Sequence, residues 1–381
     1  MDIFNFILKC NVFFGAGARK KINAVIRKNN YKSLGVVVDH ALLGVPIVDE
    51  FLGSIKGDIH IIRCDISEPT YARLEEKRSE SMRKDFDAYV GFGGGSAIDM
   101  AKGLSVLSTN HGSAISYKGF EKFTNPPLPI IAIPTTAGTG SEITPNASFI
   151  DSINKQKMGI NGESIRPKFS FLDPELTISC PLGPTISAAV DSLVHATEAY
   201  VAKKTNPLAQ FFSNKGFTLV VDNLPTLAQD LDDLILREKV MLGAFLSGVA
   251  LMNSGTGPAA AMSYPLGVHW GVAHGIGGGI FLPFVIENNI KEGFFDYAGL
   301  YDNKNESLSK QDASKFILNK ILELWKILKI PKNLKEYGFN EGDINKFVRD
   351  TMRLKGALDQ NPTPFYEDEI IKTLNKLSKD Y

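Results

Sequence analysis

The sequence predicts an α/β domain with a parallel sheet, followed by an all-α domain. Apolar β-branched runs alternate with helical patterns through the first half of the chain, as in parallel sheets that are covered on both faces. Those runs become rare after Pro181–Pro184, and helical periodicity dominates from there. The length of 381 residues also favours two domains over a single core. We therefore expect domains at residues 1–180 and 181–381.

The first domain is expected to begin at a sheet edge. Two short apolar runs over Phe4–Phe14 precede a glycine turn at Gly15–Gly17, which favours an edge hairpin. The patterns that follow predict strands at Leu34–Val38, Ile59–Cys64, Ala88–Phe92 and Leu128–Ile133. They predict helices at Ala18–Lys28, Ile47–Ile55, Tyr71–Met82 and Ser96–Ser108.

The second domain is predicted from helical periodicity. Glu175–Pro184 is the expected hinge, and Val268–Gly279 reads as a glycine-rich loop. The most apolar stretch, Val240–Met252, is shorter than the roughly 20 residues that a membrane span needs, so we interpret it as a core helix. Helices are predicted at Ser187–Ala202, Pro207–Leu224, Asp233–Met252, Ala313–Leu328, Glu341–Arg353 and Glu367–Lys379.

Composition argues against several functional classes. Lys and Arg together number 42, as do Asp and Glu, so no net field favours nucleic acid or an acidic membrane as a partner. The start MDIFNFILKC lacks the features of a signal peptide. Three widely spaced cysteines, Cys10, Cys64 and Cys180, have no metal-type spacing and fit a reducing compartment. We expect a cytoplasmic protein.

The segment Asp87–Gly103 is the strongest local signal in the first domain. A buried strand runs into Gly93-Gly94-Gly95, and a helix follows at Ser96. Ser96 is expected to cap this helix, with Asp99 completing a capping-box-like pair. Backbone N–H groups at such a turn point at one spot, where the helix dipole favours a phosphate or pyrophosphate. The alternative is a strand-to-helix turn that binds no ligand.

Two further strand ends carry polar residues. Asp39 follows a strand and can accept hydrogen bonds from ribose hydroxyls, while its charge would repel a 2′-phosphate. It therefore favours NAD over NADP, although it can also be an ordinary polar residue at a strand end. The loop Thr135–Ser141 offers small hydroxyls and backbone donors for a second phosphate or for the nicotinamide amide.

A carboxylate and two imidazoles suggest a metal site in the second domain. Asp191 and His195 are four residues apart, which places both side chains on one helix face. Their neighbours are small or apolar, so the carboxylate needs a partner, either a metal ion or His195 itself. His274 can be brought to the same place by the glycine-rich segment. Such a set suits Fe(II) or Zn(II) and leaves coordination positions open for substrate.

The whole pattern resembles the iron-containing (group III) alcohol dehydrogenases, which are related to glycerol dehydrogenase and dehydroquinate synthase. The resemblance covers nearly the whole chain. The segments that carry it are Gly93–Lys102 (GGGSAIDMAK), Pro134–Glu142 (PTTAGTGSE), Asp173–Thr177 (DPELT), Asp191–Tyr200 (DSLVHATEAY), His274-Gly275 and Asn361-Pro362.

The resemblance implies a dinucleotide-binding domain, a helical domain, and a cleft between them that holds nicotinamide and metal. It implies that Asp191, His195 and His274 are metal ligands and that Lys157 lies near the cofactor and takes part in catalysis. It also implies a homodimer. The residues expected to bind the cofactor are Asp39, Gly93, Gly94, Gly95, Ser96, Asp99, Thr135, Thr136, Thr139, Ser141 and Lys157.

One segment departs from the family pattern. A histidine pair is expected at residues 260 and 264, where this chain has Ala260 and Tyr264. Three interpretations remain open. The metal is held by Asp191, His195 and His274 alone; His269 supplies the missing ligand; or the metal is lost, and Tyr264 and His269 act as acid and base. With a tyrosine at position 264, this chain also resembles family members that act on sugar acids.

The predicted function is a metal-dependent, NAD(P)-linked alcohol dehydrogenase or aldehyde reductase. Its expected substrates are small alcohols, polyols or sugar acids, and Tyr264, His269 and Lys157 are its candidate catalytic residues. One alternative is a lyase or cyclase similar to dehydroquinate synthase, which uses NAD transiently. Another is a metal-free relative without catalytic activity.

Overall fold

The computed structural model describes residues 3–64, 68–81, 84–301 and 308–378. The chain forms two compact units. The α/β unit contains Leu8–Pro181 and Asp232–Met241, and the helical unit contains Met1–Ile7, Leu182–Leu231 and Leu242–Tyr381. Compared with the division expected from the sequence, the first residues belong to the helical unit and a short later segment belongs to the α/β unit.

A parallel sheet forms the centre of the α/β unit. Its six strands lie in the order β1-β11-β6-β4-β2-β3, and every neighbouring pair is parallel. These strands are β1 (Asn11–Phe14), β2 (Ser33–Asp39), β3 (Asp58–Cys64), β4 (Ala88–Gly93), β6 (Ile130–Pro134) and β11 (Phe169–Leu172). Short strands outside this sheet are β5 (Gly119–Phe120), β7 (Asn146–Ala147), β8 (Ile150–Asp151), β9 (Gln156–Lys157) and β10 (Ile160–Asn161). The parallel sheet expected from the sequence is confirmed.

Alternate residues of the central strands face two separate apolar cores. Val36 and Val38 of β2 join one core, whereas Val37 joins the other. The first core also takes residues from α1 (Ile22–Lys28) and α2 (Pro46–Ser54). The second takes residues from α3 (Tyr71–Ser81) and α4 (Gly95–Thr109). This period of two, with helices on both faces, explains why the strands read as continuous apolar runs. Met82, the predicted last residue of α3, lies outside the described residues.

The strand order places the functional loops. The chain passes from β2 to β3 on one side, and β4 then pairs with the opposite side of β2. In open parallel sheets a ligand crevice forms at such a reversal, beyond the carboxyl ends of the strands. Here β2 ends at Asp39, β4 ends at Gly93, and β6 ends just before Thr135.

Two local predictions in the α/β unit are wrong. Phe4–Phe14 does not form a hairpin, because β1 pairs in parallel with β11, far away in the sequence. A local turn signal carries no information about such a partner. In addition, α4 begins at Gly95, with Gly94 as its N-cap and no side-chain cap, so Ser96 and Asp99 form no capping box.

The helical unit is built around long helices and contains one segment that the sequence analysis misread. Val268–Gly279 is the end of one helix and the start of the next, whereas a loop was expected. The helices in this half of the chain are α5 (Leu182–Val201), α6 (Pro207–Leu227), α7 (Leu234–Met252), α8 (Pro258–Trp270), α9 (His274–Lys291), α10 (Lys310–Leu328), α11 (Ile344–Met352), α12 (Lys355–Leu358) and α13 (Glu367–Leu377). Among the described residues, no helix combines the length and apolarity needed to span a bilayer.

Candidate functional site

The turn between β4 and α4 requires glycine. Gly93 has a φ of 151°, a conformation that side-chain-bearing residues rarely adopt. A Cβ at this position would lie 2.9 Å from the Cβ of Asp39, and one at Gly95 would lie 2.8 Å from Oγ1 of Thr139. Missing side chains therefore let Asp39 and Thr139 pack directly against the start of α4. Because the first N–H groups of a helix lack internal partners, this is the kind of place that binds phosphate.

The neighbouring loops close around this turn. The Thr135 N–H donates to the carbonyl of Gly93 at 2.9 Å, and both γ atoms of Thr136 lie 3.7 Å from the Cβ position of Gly94. The carboxylate of Asp39 accepts from the N–H of Ala41 at 3.0 Å and is partly exposed. The structure thus brings together residues from the ends of β2, β4 and β6, as the sequence predicts.

Asp99 and Ser141 are bound to each other. The Ser141 hydroxyl donates to one carboxylate oxygen of Asp99, and the Ser148 N–H donates to the other at 2.8 Å. Burial raises the pKa of Asp99, and the nearby Lys102 opposes that rise. Ser96 is half-buried in the first turn of α4.

Lys157 lies on β9 and is almost fully buried. Its Nζ is 2.7 Å from a carboxylate oxygen of Glu68, and its side chain is 10% exposed. Its charge is close enough to Asp99 to oppose the pKa rise that burial causes there, although more weakly than Lys102 does. Lys157 therefore belongs to the same charged neighbourhood as α4.

Three ligand-type atoms converge in the helical unit. Oδ1 of Asp191 lies 3.5 Å from Nε2 of His195 and 3.8 Å from Nε2 of His274. Asp191 and His195 are one turn apart on α5, and His274 begins α9. Within the part of the chain that the structure describes, this is the one group of three His, Cys, Asp or Glu side chains whose ligand atoms all lie within 4.8 Å of one another.

Hydrogen bonding fixes the tautomer of His274. The Ser263 hydroxyl donates its only proton to the carbonyl of Ala260 at 2.6 Å. It must therefore accept from Nδ1 of His274, which is also 2.6 Å away. In the neutral ring, Nε2 of His274 then carries the lone pair and faces the carboxylate of Asp191. Both facing atoms are acceptors in that state, and a shared cation would satisfy them.

The spacing of the three donors fits a divalent metal. Ligands at 2.0–2.1 Å from a tetrahedral ion lie roughly 3.4 Å apart, close to the distances found here. Both Asp191 and His195 are buried, and Nδ1 of His195 has no hydrogen-bond partner among the described residues. A buried carboxylate is costly without a counter-charge. We conclude that these residues fit the metal that the sequence predicts.

Glycines allow α9 to place His274. A Cβ on Gly275 would overlap the carbonyl oxygen of Ser187 and lie 2.9 Å from the Cβ of Asp191. Cβ atoms at Gly278 and Gly279 would press on Val194 and Val190 of α5. The glycines that suggest a loop in the sequence therefore form the face along which α9 meets α5.

The structure separates the residues around the family departure. The ring of Tyr264 packs edge-on against that of His274, with 4.9 Å between centroids. His269 points elsewhere, since its Nε2 lies 2.9 Å from Oδ2 of Asp350 on α11. The structure therefore does not bring His269 to the three donors.

Ala260 belongs to the N-terminal turn of α8, which Glu198 holds. The buried carboxylate of Glu198 accepts from the N–H groups of Gly257 and Ala259, both at 2.7 Å, and from that of Ala260 at 3.4 Å. Burial raises the pKa of Glu198, and these donors oppose the rise. Sequence reasoning missed the support given by Ser263 and Glu198. The one signal in the sequence was that Ser263 follows Ala260 by three residues, a spacing at which a serine hydroxyl can donate to a carbonyl of its own helix.

Comparison with known proteins decides the family. The family model described as "Iron-containing alcohol dehydrogenase" matches residues 10–174. The model described as "Fe-containing alcohol dehydrogenase family, C-terminal" matches residues 185–378. The chain belongs to the iron-containing alcohol dehydrogenase family. The predicted family and fold are confirmed.

Named relatives in this family span nearly the whole chain. NAD-dependent methanol dehydrogenase of Bacillus methanolicus is 30% identical over 351 residues, which cover 91% of this chain and 92% of that protein. The 1,3-propanediol dehydrogenase of Citrobacter freundii is 30% identical over 377 residues, covering 97% of both. The crystal structure of a 1,3-propanediol oxidoreductase matches with a TM-score of 0.93 and 28% identity, covering 99% of this chain and 100% of that one.

The comparisons confirm an oxidoreductase of the alcohol dehydrogenase class. They do not support the alternative similar to dehydroquinate synthase. The family and its NAD-dependent members also support NAD and a metal as cofactors.

Proposed function

We propose that this enzyme interconverts a small alcohol and its aldehyde or ketone with NAD, at a metal held by Asp191, His195 and His274. The observation that carries the proposal is the convergence of the three donor atoms, with Nε2 of both histidines 3.5 and 3.8 Å from one carboxylate oxygen. When bound, the metal supplies Lewis acidity that favours the alkoxide form of the substrate.

The dinucleotide is proposed to bind at the carboxyl ends of β2, β4 and β6. The glycine turn Gly93–Gly95 would hold the pyrophosphate, and Thr135, Thr136 and Thr139 would line the cofactor. Asp39 would accept from the ribose hydroxyls and exclude a 2′-phosphate, which favours NAD over NADP. When bound, NAD accepts or returns the hydride. Ser96 and Lys157 are further candidates for contact with the cofactor.

The donor set narrows the metal to Fe(II) or Zn(II). Two imidazoles and one carboxylate suit both ions and leave positions open for substrate. Ala260 offers no ligand atom on its side chain. We therefore favour a site with three protein ligands over one that includes His269, whose Nε2 is already engaged with Asp350.

Tyr264 is the favoured proton carrier beside the metal. Its ring contacts His274, which puts Tyr264 beside the proposed metal site and makes its phenol the candidate proton donor or acceptor there. In the neutral ring, the contact with Ser263 leaves the lone pair of His274 on Nε2. Glu198 fixes the start of α8, the helix on which Tyr264 lies. His269 remains the weaker candidate for the same role. From the family we also expect a homodimer in the cytoplasm, which sedimentation and fractionation can measure.

The metal model is tested with the variants Asp191→Ala and His269→Gln. Asp191→Ala should abolish bound metal and turnover while NAD binding, measured by NADH fluorescence, stays unchanged. His269→Gln keeps a hydrogen-bond donor for Asp350 and should retain the metal. Full activity in Asp191→Ala would overturn the metal model, whereas metal loss in His269→Gln would make His269 a fourth ligand.

The substrate range is best measured by a coupled assay on enzyme whose natural metal content is known. Elemental analysis gives the metal, and a screen of primary alcohols, polyols and sugar acids with NAD and then NADP gives the substrate class. Net formation of NADH with at least one alcohol is the expected result. A purified, metal-containing enzyme that reduces neither cofactor with any of them would contradict the proposal.

A further inference from the structure

A buried lysine joins the first turns of α4 to the segment 141–148. Lys102 is fully buried, and its Nζ donates to the Ser141 hydroxyl at 3.1 Å and to the carbonyls of Thr144 at 3.0 Å and Asn146 at 2.6 Å. The carboxylate of Asp99 lies 3.9 Å from the same ammonium group. All three protons of the ammonium thus have acceptors on one segment.

Asp99 ties α4 to the same segment from one turn earlier. It accepts from the Ser141 hydroxyl and from the Ser148 N–H. Ser141 therefore bridges the two charges, giving a proton to Asp99 and accepting one from Lys102. We name Asp99, Lys102 and Ser141 the α4 clamp.

The α4 clamp holds the end of the loop that faces the glycine turn. The loop begins at Thr135, whose N–H binds Gly93, and it ends at Ser141. Between these points lies Thr139, whose Oγ1 accepts from the Ser141 N–H at 3.2 Å. The same Oγ1 sits 2.8 Å from the Cβ position of Gly95. Moving Ser141 would therefore move the threonine that borders the glycine turn.

Burying an ammonium group is expensive, so its position needs a reason beyond folding. Desolvation lowers the pKa of Lys102 to about 8, and the carboxylates of Asp99 and Glu142 oppose that fall. The other charged or titratable groups that act on it are Arg166 and Cys10. A well-packed apolar residue would meet no such desolvation cost. An ammonium does what an apolar residue cannot: it fixes three oxygen acceptors of one loop in a single geometry.

We propose that Lys102 is a positioning residue for the dinucleotide, which acts through Ser141 and Thr139 to hold the 135–141 loop against the glycine turn. Asp99 and Ser141, first predicted to contact the cofactor, belong to this device and act through the loop. The proposal rests on the proposed NAD site. It predicts that replacing Lys102 weakens cofactor binding and changes neither the metal content nor the KM for the alcohol.

The test compares Lys102→Met with Lys77→Met, using the whole metal-loaded enzyme. Lys77 is 7% exposed, and among the described residues its ammonium pairs with Glu80 of its own helix, so it controls for loss of a buried lysine. Lys102→Met should weaken NADH binding, measured by fluorescence titration, by about tenfold, because binding must then order the loop. KM for NAD should rise similarly, with KM for the alcohol and metal content unchanged. Lys77→Met should leave NADH affinity as it is.

A second variant keeps the proposal testable if Lys102→Met does not fold. Ser141→Ala removes the bridging hydroxyl but keeps both charges, and it should weaken NADH binding about threefold. It should also lower the melting temperature, because a buried oxygen of Asp99 and a proton of Lys102 lose a partner. Equal NADH affinity in wild type and in whichever of the two variants is folded would overturn the proposal. If the wild type itself binds no NADH, the proposed function fails instead, so the two failures are distinguishable.

Discussion

The two candidate sites are built in opposite ways. In the α/β unit, Gly93–Gly95 work through the absence of side chains, and buried groups set the loop around them. In the helical unit, Asp191, His195 and His274 work through the identity of their ligand atoms, and close helix packing brings those atoms together. A backbone site therefore fails when an atom is added near it. A side-chain site fails when an atom is lost or when its helices move apart.

The largest effect is expected from Gly275→Ala, which adds one carbon beside the metal donors. The new Cβ would overlap the Ser187 carbonyl and lie 2.9 Å from the Cβ of Asp191, so α9 must shift away from α5. Overpacking of this kind costs about 1–3 kcal/mol of unfolding free energy. We expect metal content and activity to be lost while NADH affinity is retained.

Elemental analysis and NADH titration check this result, with Gly356→Ala as the control. A Cβ at Gly356 would meet no atom within 4 Å, so the control should retain its metal. Full metal content in Gly275→Ala would show that α9 tolerates a wider separation from α5 than we infer.

Gly93→Ala should have the converse effect on the α/β unit. Its φ of 151° is strained for alanine, at about 1–3 kcal/mol, and its Cβ would lie 2.9 Å from that of Asp39. NADH affinity should fall at least tenfold because the turn can no longer approach the pyrophosphate. Metal content should be unchanged. In the control Gly53→Ala, where a Cβ would meet no atom within 4 Å, NADH affinity and metal content should both be unchanged. Retained NADH affinity would place the pyrophosphate elsewhere.

Local patterns predicted most of the fold, because they report local physics. The apolar runs gave β2, β4 and β6, and the spacing of Asp191 and His195 gave their common helix face. The pairing of β1 with β11 depends on residues more than 150 positions apart, so no local turn signal could reveal it.

Helix α9 shows where local sequence patterns mislead. Its glycines lower helix propensity, and the sequence therefore reads as a loop. Packing against α5 requires those same glycines, so tertiary contact overrides the local preference. The support from Ser263 and the placement of Lys102 were missed for a similar reason, since each acts on a residue of another segment.

Ser263→Ala is a gentler change at the metal site. It removes the hydroxyl that accepts from Nδ1 of His274 and leaves every ligand in place. Loss of such an outer hydrogen bond typically lowers metal affinity by about 10–100-fold. Competition with a chelator measures the change. Ser247→Ala is the matched control, because the Ser247 hydroxyl donates to a carbonyl of its own helix. Equal metal affinity in both variants would mean that His274 needs no such orientation.

A pH dependence of stability is expected that belongs to the α/β unit alone. The pKa of Lys102 falls from 10.5 to about 8 in the folded protein, chiefly through burial. Between these values the unfolded chain binds more protons than the folded one, so raising the pH stabilises the fold. The stability of wild type relative to Lys102→Met should therefore rise from pH 8 to pH 10, by at most about 1.4 kcal/mol per pH unit.

Denaturant unfolding of both proteins across this range measures the difference, in which the titration of shared groups largely cancels. NADH affinity should change in the opposite direction, because the ammonium that orders the loop is lost as the pH rises. A stability difference that falls with pH would mean that Asp99 and Glu142 hold the Lys102 ammonium more strongly than burial opposes it. In that case the α4 clamp would add to the stability of the fold, and the two sites would differ only in the ligands that they bind.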